Sequence, residues 1–190
     1  SIGIYIASFV LKGLALFSTK LKHGVDGRKN TFTKLENTIK PEDKVFWFHC
    51  ASLGEYEQGL PVFEALKIKH PNYKVVVSFF SPSGYEVRKK TKIADVVVYL
   101  PLDTTSNAQR FLDLAHPDYI LFVKYEIWPN FLHEIKKREI NAVLISAVFR
   151  KDQAFFKWYG AFMTSALFGF KHIFAQDQNS KLLLENINYK

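Results

Sequence analysis

Cysteine occurs once in the 190 residues, at Cys50. A single thiol rules out an internal disulfide and fits a reducing compartment. Cysteine and histidine are not paired at the short spacings of structural zinc, and no metal is expected. Internal repeats and low-complexity tracts are missing. No secretory signal is legible either, because basic residues ahead of an apolar core and a small-residue cleavage site behind it are both wanting. Acidic residues are the scarcer charge: 18 Asp and Glu stand against 26 Lys and Arg, a formal net charge of +8. That balance favours anionic partners, whether phosphates, nucleic acid or an acidic membrane surface, and does not choose among them.

What is abundant is apolar side chain, 48% of the residues, with 16% aromatic. This suffices for one well-buried domain and leaves little room for a second of ordinary size. The division expected is residues 1–40 as an apolar helix and connector, with residues 41–190 as the domain. Residues 2–17 are apolar apart from Tyr5, Ser8 and Lys12, and fall short of the roughly 20 residues that span a bilayer. With Ser1 and Thr19 these polar positions form one narrow stripe on a greasy helix. Two readings stay open, a segment lying at a membrane interface and a terminal helix packed on the domain's own core. Lys20, Lys22, Arg28 and Lys29 follow, placed to meet anionic headgroups on a cytoplasmic face.

From residue 41 onward, β-branched and aromatic runs at 45–49, 74–80, 96–100, 119–123, 142–146 and 172–175 predict strands. Helical spacing fills the intervals at 56–69, 84–92, 106–115, 129–138, 153–168 and 179–187. Alternating strands and helices, with strands apolar on both faces, predict an α/β fold: a Rossmann-like parallel sheet, doubly wound, with helices on both faces. Ligands bind such sheets beyond the carboxyl ends of the strands, so the strand-to-helix loops are the places to look.

The first loop runs from His49 through Ser52 and Gly54 to Glu55. Its glycine permits close approach of a ligand, and the helix start that follows favours an anion. The three-glycine spacing of a dinucleotide fingerprint is lacking. Glu55 has two readings, an acid that complements the helix dipole and a general base for a substrate hydroxyl. In the second loop Ser83 and Gly84 precede Arg88, Lys89, Lys90 and Lys92, which read either as a phosphate site or as a solvated helix face. Asp103 or Thr104 is expected to cap the helix that follows them. The fourth loop packs Glu126, Trp128, Pro129 and Asn130 into one junction, where a buried carboxylate must be paired or have its pKa raised. Arg150 after the fifth strand extends a basic rim. The six histidines show no spacing of a triad or metal site, and read as surface or satisfied core groups.

Ser52-Leu53-Gly54-Glu55, the Tyr99-to-Asp103 segment, Glu126-Ile127-Trp128-Pro129-Asn130 and the later Ala175-Gln176-Asp177 resemble, in that order, the N-terminal domain of the 3-deoxy-D-manno-octulosonic acid (Kdo) transferases. The resemblance implies the N-terminal half of a GT-B glycosyltransferase that moves Kdo from CMP-Kdo to a lipid A precursor in lipopolysaccharide biosynthesis. It also implies a metal-independent enzyme without a cofactor, on the cytoplasmic face of the bacterial inner membrane. The N-terminal domain takes the acceptor, and a C-terminal domain outside these residues holds most of the CMP-sugar, so this stretch alone is expected to be inactive. Glu55 matches the family's proposed base and Glu126 the second motif carboxylate. Two departures stand out: Lys124 where many members carry an acid, and Ser146-Ala147-Val148 where an Asn-Ala-Arg stretch is usual. The competing class is a non-catalytic membrane-surface module that binds anionic lipid. Nucleic acid is not an expected partner, since only net charge points to it.

Overall fold

The computed structural model describes residues 26–189, so the apolar N-terminal helix expected at residues 2–17 lies outside the described residues. Six strands, β1 (Val45–Cys50), β2 (Lys74–Phe79), β3 (Val96–Tyr99), β4 (Tyr119–Val123), β5 (Asn141–Ala147) and β6 (His172–Ala175), form one sheet. Its order is β3-β2-β1-β4-β5-β6, and every neighbouring pair is parallel. The α-helices packed around it include α1 (Thr31–Thr38), α2 (Leu53–Lys69), α3 (Pro82–Arg88), α4 (Thr105–Ala115), α5 (Pro129–Lys137), α6 (Ala161–Leu167) and α7 (Gln178–Asn186). Each predicted strand is present to within a residue or two.

All six residues of β1 are buried, because helices cover both faces of the sheet and leave neither side of the strand to solvent. Alternation divides them. Val45 and Trp47 join Val76, Ile120 and Leu144 in a core beneath α1, α4, α5, α6 and α7. Phe46, Phe48 and Cys50 join Val77, Phe79 and Val123 in a second core beneath α2. Helix α2 lies close to the sheet at Gly59, where a Cβ would come within 2.9 Å of Val123 Cγ2 and 2.5 Å of Phe63 Cζ.

Two elements depart from the sequence reading. The segment read as a connector carries α1, whose Thr31 and Leu35 are fully buried. Phe32, Leu35 and Ile39 fall at helical spacing and join one core, but eight residues are too few to hold a helix alone, and docking on the sheet supplies the rest. Arg28 fixes the approach, donating from Nε to Leu100 O (2.9 Å) and from Nη2 to Phe80 O (2.6 Å), while Thr31 Oγ1 donates to Tyr99 O (2.8 Å). The helix expected over 153–168 is broken instead into a 3₁₀ turn, Ala154–Phe156, and α6. At Gly160 the chain folds back so tightly that a Cβ would sit 1.7 Å from Ala154 O.

Candidate active site

The sheet order reverses between β1 and β4, which part in opposite directions and leave a crevice beyond their carboxyl ends. The loops that leave there are the two acidic corners of the sequence, the one leading to Glu55 and the one holding Glu126. Cys50, the last residue of β1, registers both. Burial pushes its thiol pKa well up, and the Glu55 and Glu126 carboxylates push it further. The Glu55 loop leaves the end of β1 and the Glu126 loop the end of its neighbour β4, so both acids lie at the carboxyl side of adjacent strands.

Glu55 occupies the third position of α2, and its Oε2 accepts the backbone N–H of Ser52 (2.8 Å) in a capping box, with the Ser52 hydroxyl donating to the same oxygen. One carboxylate oxygen thus closes the helix start, and Oε1 has no hydrogen-bond partner among the described residues. Gly54 beside it is exposed, and a Cβ there would meet nothing nearer than Ser52 Oγ at 3.9 Å. The fold itself does not require glycine at this position.

Glu126 is buried, and its Oε2 lies 2.9 Å from both His49 Nε2 and Trp128 Nε1. His49, fully buried on β1, reaches Ser78 Oγ with Nδ1 (2.8 Å), and Ser78 Oγ in turn accepts from Trp47 Nε1 (2.7 Å). One distribution gives every proton in this chain an acceptor. Trp47 donates to Ser78, Ser78 to His49 Nδ1, and His49 Nε2–H to Glu126, with Trp128 donating to the same oxygen. The buried carboxylate is paired, as its burial demands. The Trp128 indole packs on Phe80 at 4.7 Å between ring centroids, and the Arg28 guanidinium lies over the other side of the corner, 4.5 Å from the Phe80 ring. Loops after β1, β2 and β4 thereby form one rim.

The other expected site residues are dispersed. Asn130 is engaged in the fold: its Nδ2 donates to Asp103 O (2.7 Å), and the Asp103 carboxylate accepts the N–H groups of Asn130 (3.1 Å) and Phe131 (3.0 Å). Thr104 caps α4 by accepting from Asn107 N (3.2 Å), so Asp103 caps the neighbouring helix α5 rather than its own. Burial raises the Asp103 pKa, although these hydrogen bonds pull it down. Gly84 is packed where a Cβ would strike Phe79 and come within 3.0 Å of the Ser52 carbonyl carbon. Ser83 is exposed and donates its N–H to the capping Ser81 Oγ (3.3 Å). Helix α3 stops at Arg88, nearly two turns from its start, and leads away from the carboxyl ends. Arg88 pairs there with Glu57 (2.5 Å) and Lys89 with Glu86 (2.5 Å). Lys90 and Lys92 are exposed beyond the helix end. The basic cluster is therefore not gathered at the crevice. Arg150, following β5, is on the ligand side, exposed and 3.6 Å from Asp152.

Trp47 and Ser78 are members of the network that the sequence reading did not single out, and His49, read there as a surface or satisfied core group, is a satisfied core group joined to Glu126. A signal existed: a histidine inside a run buried on both faces needs a partner, and an acidic corner was waiting for one. Among the described residues, no three His, Cys, Asp or Glu side chains converge as a metal site requires.

The model of the 3-deoxy-D-manno-octulosonic-acid transferase (Kdo transferase) family matches residues 25–190. Similar curated proteins include the 3-deoxy-D-manno-octulosonic acid transferase of Haemophilus influenzae, 31% identical over 113 residues, covering 58% of this chain and 26% of that protein. The protein of that name from Aquifex aeolicus is 32% identical over 119 residues, 61% of this chain and 33% of its own length. That of Chlamydia trachomatis serovar D is 26% identical over 145 residues, 74% of this chain and 34% of its own length. The chain thus spans about a quarter to a third of the curated relatives it matches.

Proposed function

Because the chain belongs to the Kdo transferase family, we propose that it is the acceptor-side domain of an enzyme that transfers Kdo from CMP-Kdo to a lipid A precursor. One observation carries this reading. The two motif carboxylates, distant in sequence, stand just beyond the carboxyl ends of adjacent strands, Glu55 in the first turn after β1 and Glu126 in the loop after β4, at the point where the sheet order reverses. A glycosyl transfer that makes a new C–O bond needs the acceptor hydroxyl deprotonated as it attacks the anomeric carbon, while CMP departs with the bonding pair. Glu55 Oε1, unclaimed by the fold, is the base, and Oε2 stays in the capping box that aims it. Glu126 lines the crevice as a fixed acceptor of substrate hydrogen bonds, and Gly54 leaves open backbone for the sugar. The family resemblance implies that a second domain presents CMP-Kdo across this mouth, with no resident metal or cofactor.

Acceptor phosphates meet Arg150 and neighbouring cations at the carboxyl side. The basic residues of α3 and its following turn serve a surface farther from the reacting atoms. Contact with a membrane surface is supported by Trp158, Tyr159 and Phe162, which are exposed on the connection that leaves the carboxyl end of β5 beside Lys151 and Lys157. Among the described residues, no helix is long and apolar enough to cross a membrane.

Glu55→Gln in the full-length enzyme is the discriminating change. A capping box accepts Gln as well as Glu, so the helix start persists while the base is lost. Transfer is expected to fall by about 10²- to 10⁴-fold, the usual contribution of a positioned general base, with an unchanged circular dichroism spectrum and melting temperature. Near-normal turnover of the folded variant removes Glu55 as the base.

A further inference from the structure

We propose that His49 is a positioning residue of the transfer site, one that never touches substrate but sets the orientation of Glu126 and, with it, acceptor affinity. The inference rests on the transferase reading for its kinetic consequences. Its structural content stands separately.

Glu126 is 7% exposed, and a carboxylate in that position needs donors. It finds them on one oxygen only: Oε2 faces the ring nitrogen of His49 and the indole nitrogen of Trp128, each at 2.9 Å. Oε1 has no hydrogen-bond partner among the described residues. An acid held by one oxygen and open at the other is oriented rather than neutralised.

His49 is itself held. Its ring is fully buried, packs edge-on against Phe122 (5.4 Å) and Trp128 (5.9 Å), and meets Ser78 through Nδ1. Ser78 is in turn fixed by Trp47 from the same core. The interaction therefore runs from the middle of the sheet to the crevice through β2, β1 and the β4 corner, each step on a rigid element. Trp128 Nε1 also stands 2.9 Å from His49 Nε2, so two arrangements compete. If Nε2 carries the proton, both donors serve Glu126. If Nδ1 carries it, Nε2 accepts from Trp128, the Ser78 hydroxyl proton has no acceptor among the described residues, and Glu126 loses its His49 donor. The first satisfies more groups, and the cost of an unsatisfied buried group decides for it.

Orientation of Glu126 matters to the acceptor more than to the donor, because this domain carries the acceptor in the proposed enzyme. Loss of the His49 donor frees the side chain to rotate and costs binding of the hydroxyl that Oε1 receives. His49→Leu in the full-length enzyme is expected to raise the KM for lipid A precursor by about tenfold to a hundredfold, the range set by a hydrogen bond to a charged group. The KM for CMP-Kdo stays within about twofold, since the donor is held elsewhere. His49→Gln, whose amide N–H reaches about as far as Nε2, returns the acceptor KM to within about threefold of the wild type.

A folded His49→Leu enzyme with the wild-type acceptor KM overturns the proposal. So does a Gln variant no better than the Leu variant, which marks His49 as packing alone. Ring ¹⁵N NMR of histidine-labelled wild-type enzyme decides the matter even where the Leu variant does not fold. A protonated Nε2 is the expected result, and an Nδ1–H tautomer with a bare Nε2 overturns the arrangement. Should the wild-type enzyme transfer no Kdo, the transferase reading fails, and the ring-nitrogen result still judges the His49–Glu126 contact.

Discussion

Asp95 shows how one carboxylate can tie a loop to a strand. It accepts the Val75 N–H (2.8 Å) and the Lys74 ammonium (3.0 Å), with Lys67 at 3.8 Å. Burial alone would raise its pKa, but the Val75 hydrogen bond and the two lysines outweigh that and hold it below the usual carboxylate range. A depressed folded pKa contributes stability above the unfolded value and loses it as pH falls through the folded one. Wild type and Asp95→Asn should therefore differ in urea midpoint at neutral pH and converge in acid; a gap independent of pH refutes this. Asp103 works differently, as a cap supplied to α5 from another loop. Asp103→Ala should cost about 1–2 kcal/mol in urea unfolding, the worth of a helix cap, and loosen the corner that holds Asn130. Neither role is visible in sequence: an aspartate after Pro-Leu reads as a cap for the helix that follows it, and only the packing of α4 beside α5 turns it to its neighbour.

Within α2, the same substitution at two glycines has opposite consequences. Gly59 faces β4 with no room for a methyl group, so Gly59→Ala should destabilise by about 1–3 kcal/mol through overpacking. Gly54 has open space before it, and Ala there should stabilise the helix by up to about 1 kcal/mol. If a sugar approaches that backbone, Gly54→Ala also lowers transfer; thermal melts and kinetics on the two variants separate fold from site. The sequence pattern located α2, α4, α5 and α7, each of which buries one face, and it located the strands as runs rich in β-branched and aromatic residues. It was not read at α1, whose three apolar positions, Phe32, Leu35 and Ile39, stand among polar residues, and it failed at 153–168, where a helical pattern is interrupted by the backbone contact at Gly160. It also carried the helix predicted over 84–92 to Lys92. The actual end at Arg88 leaves Lys90 and Lys92 in the turn that leads to β3.

On the scale of the molecule, the features assigned to the proposed substrate collect at the carboxyl end of the sheet. Arg28 ties the start of the described chain to the ends of β2 and β3. The exposed Trp158, Tyr159 and Phe162 follow β5 on the same side. The lipid-linked acceptor proposed above would be reached most simply if this side faced the bilayer, with aromatic side chains at headgroup level and cations among anionic lipids. Replacing Trp158 and Phe162 together by Ser should reduce co-sedimentation with phosphatidylglycerol-rich vesicles severalfold without changing the melting temperature. Binding should also weaken as salt rises. Undiminished sedimentation of the double variant removes this surface from the membrane contact.

The amino-acid sequence alone determined the alternation of six strands and their helices, because burial on both faces of a parallel sheet writes itself as continuous apolar runs. It also marked both acidic corners, since local motifs of glycine, proline and capping residues are short-range and survive without a fold. Tertiary structure decided what those corners do together. Only strand order makes β1 and β4 neighbours, only their parallel register brings His49 of one strand beneath Glu126 of the next loop, and only the direction of α3 takes its lysines away. Hydrogen bonds act over a few ångströms, and residues 77 positions apart come that close through the path of the chain, which no local pattern records.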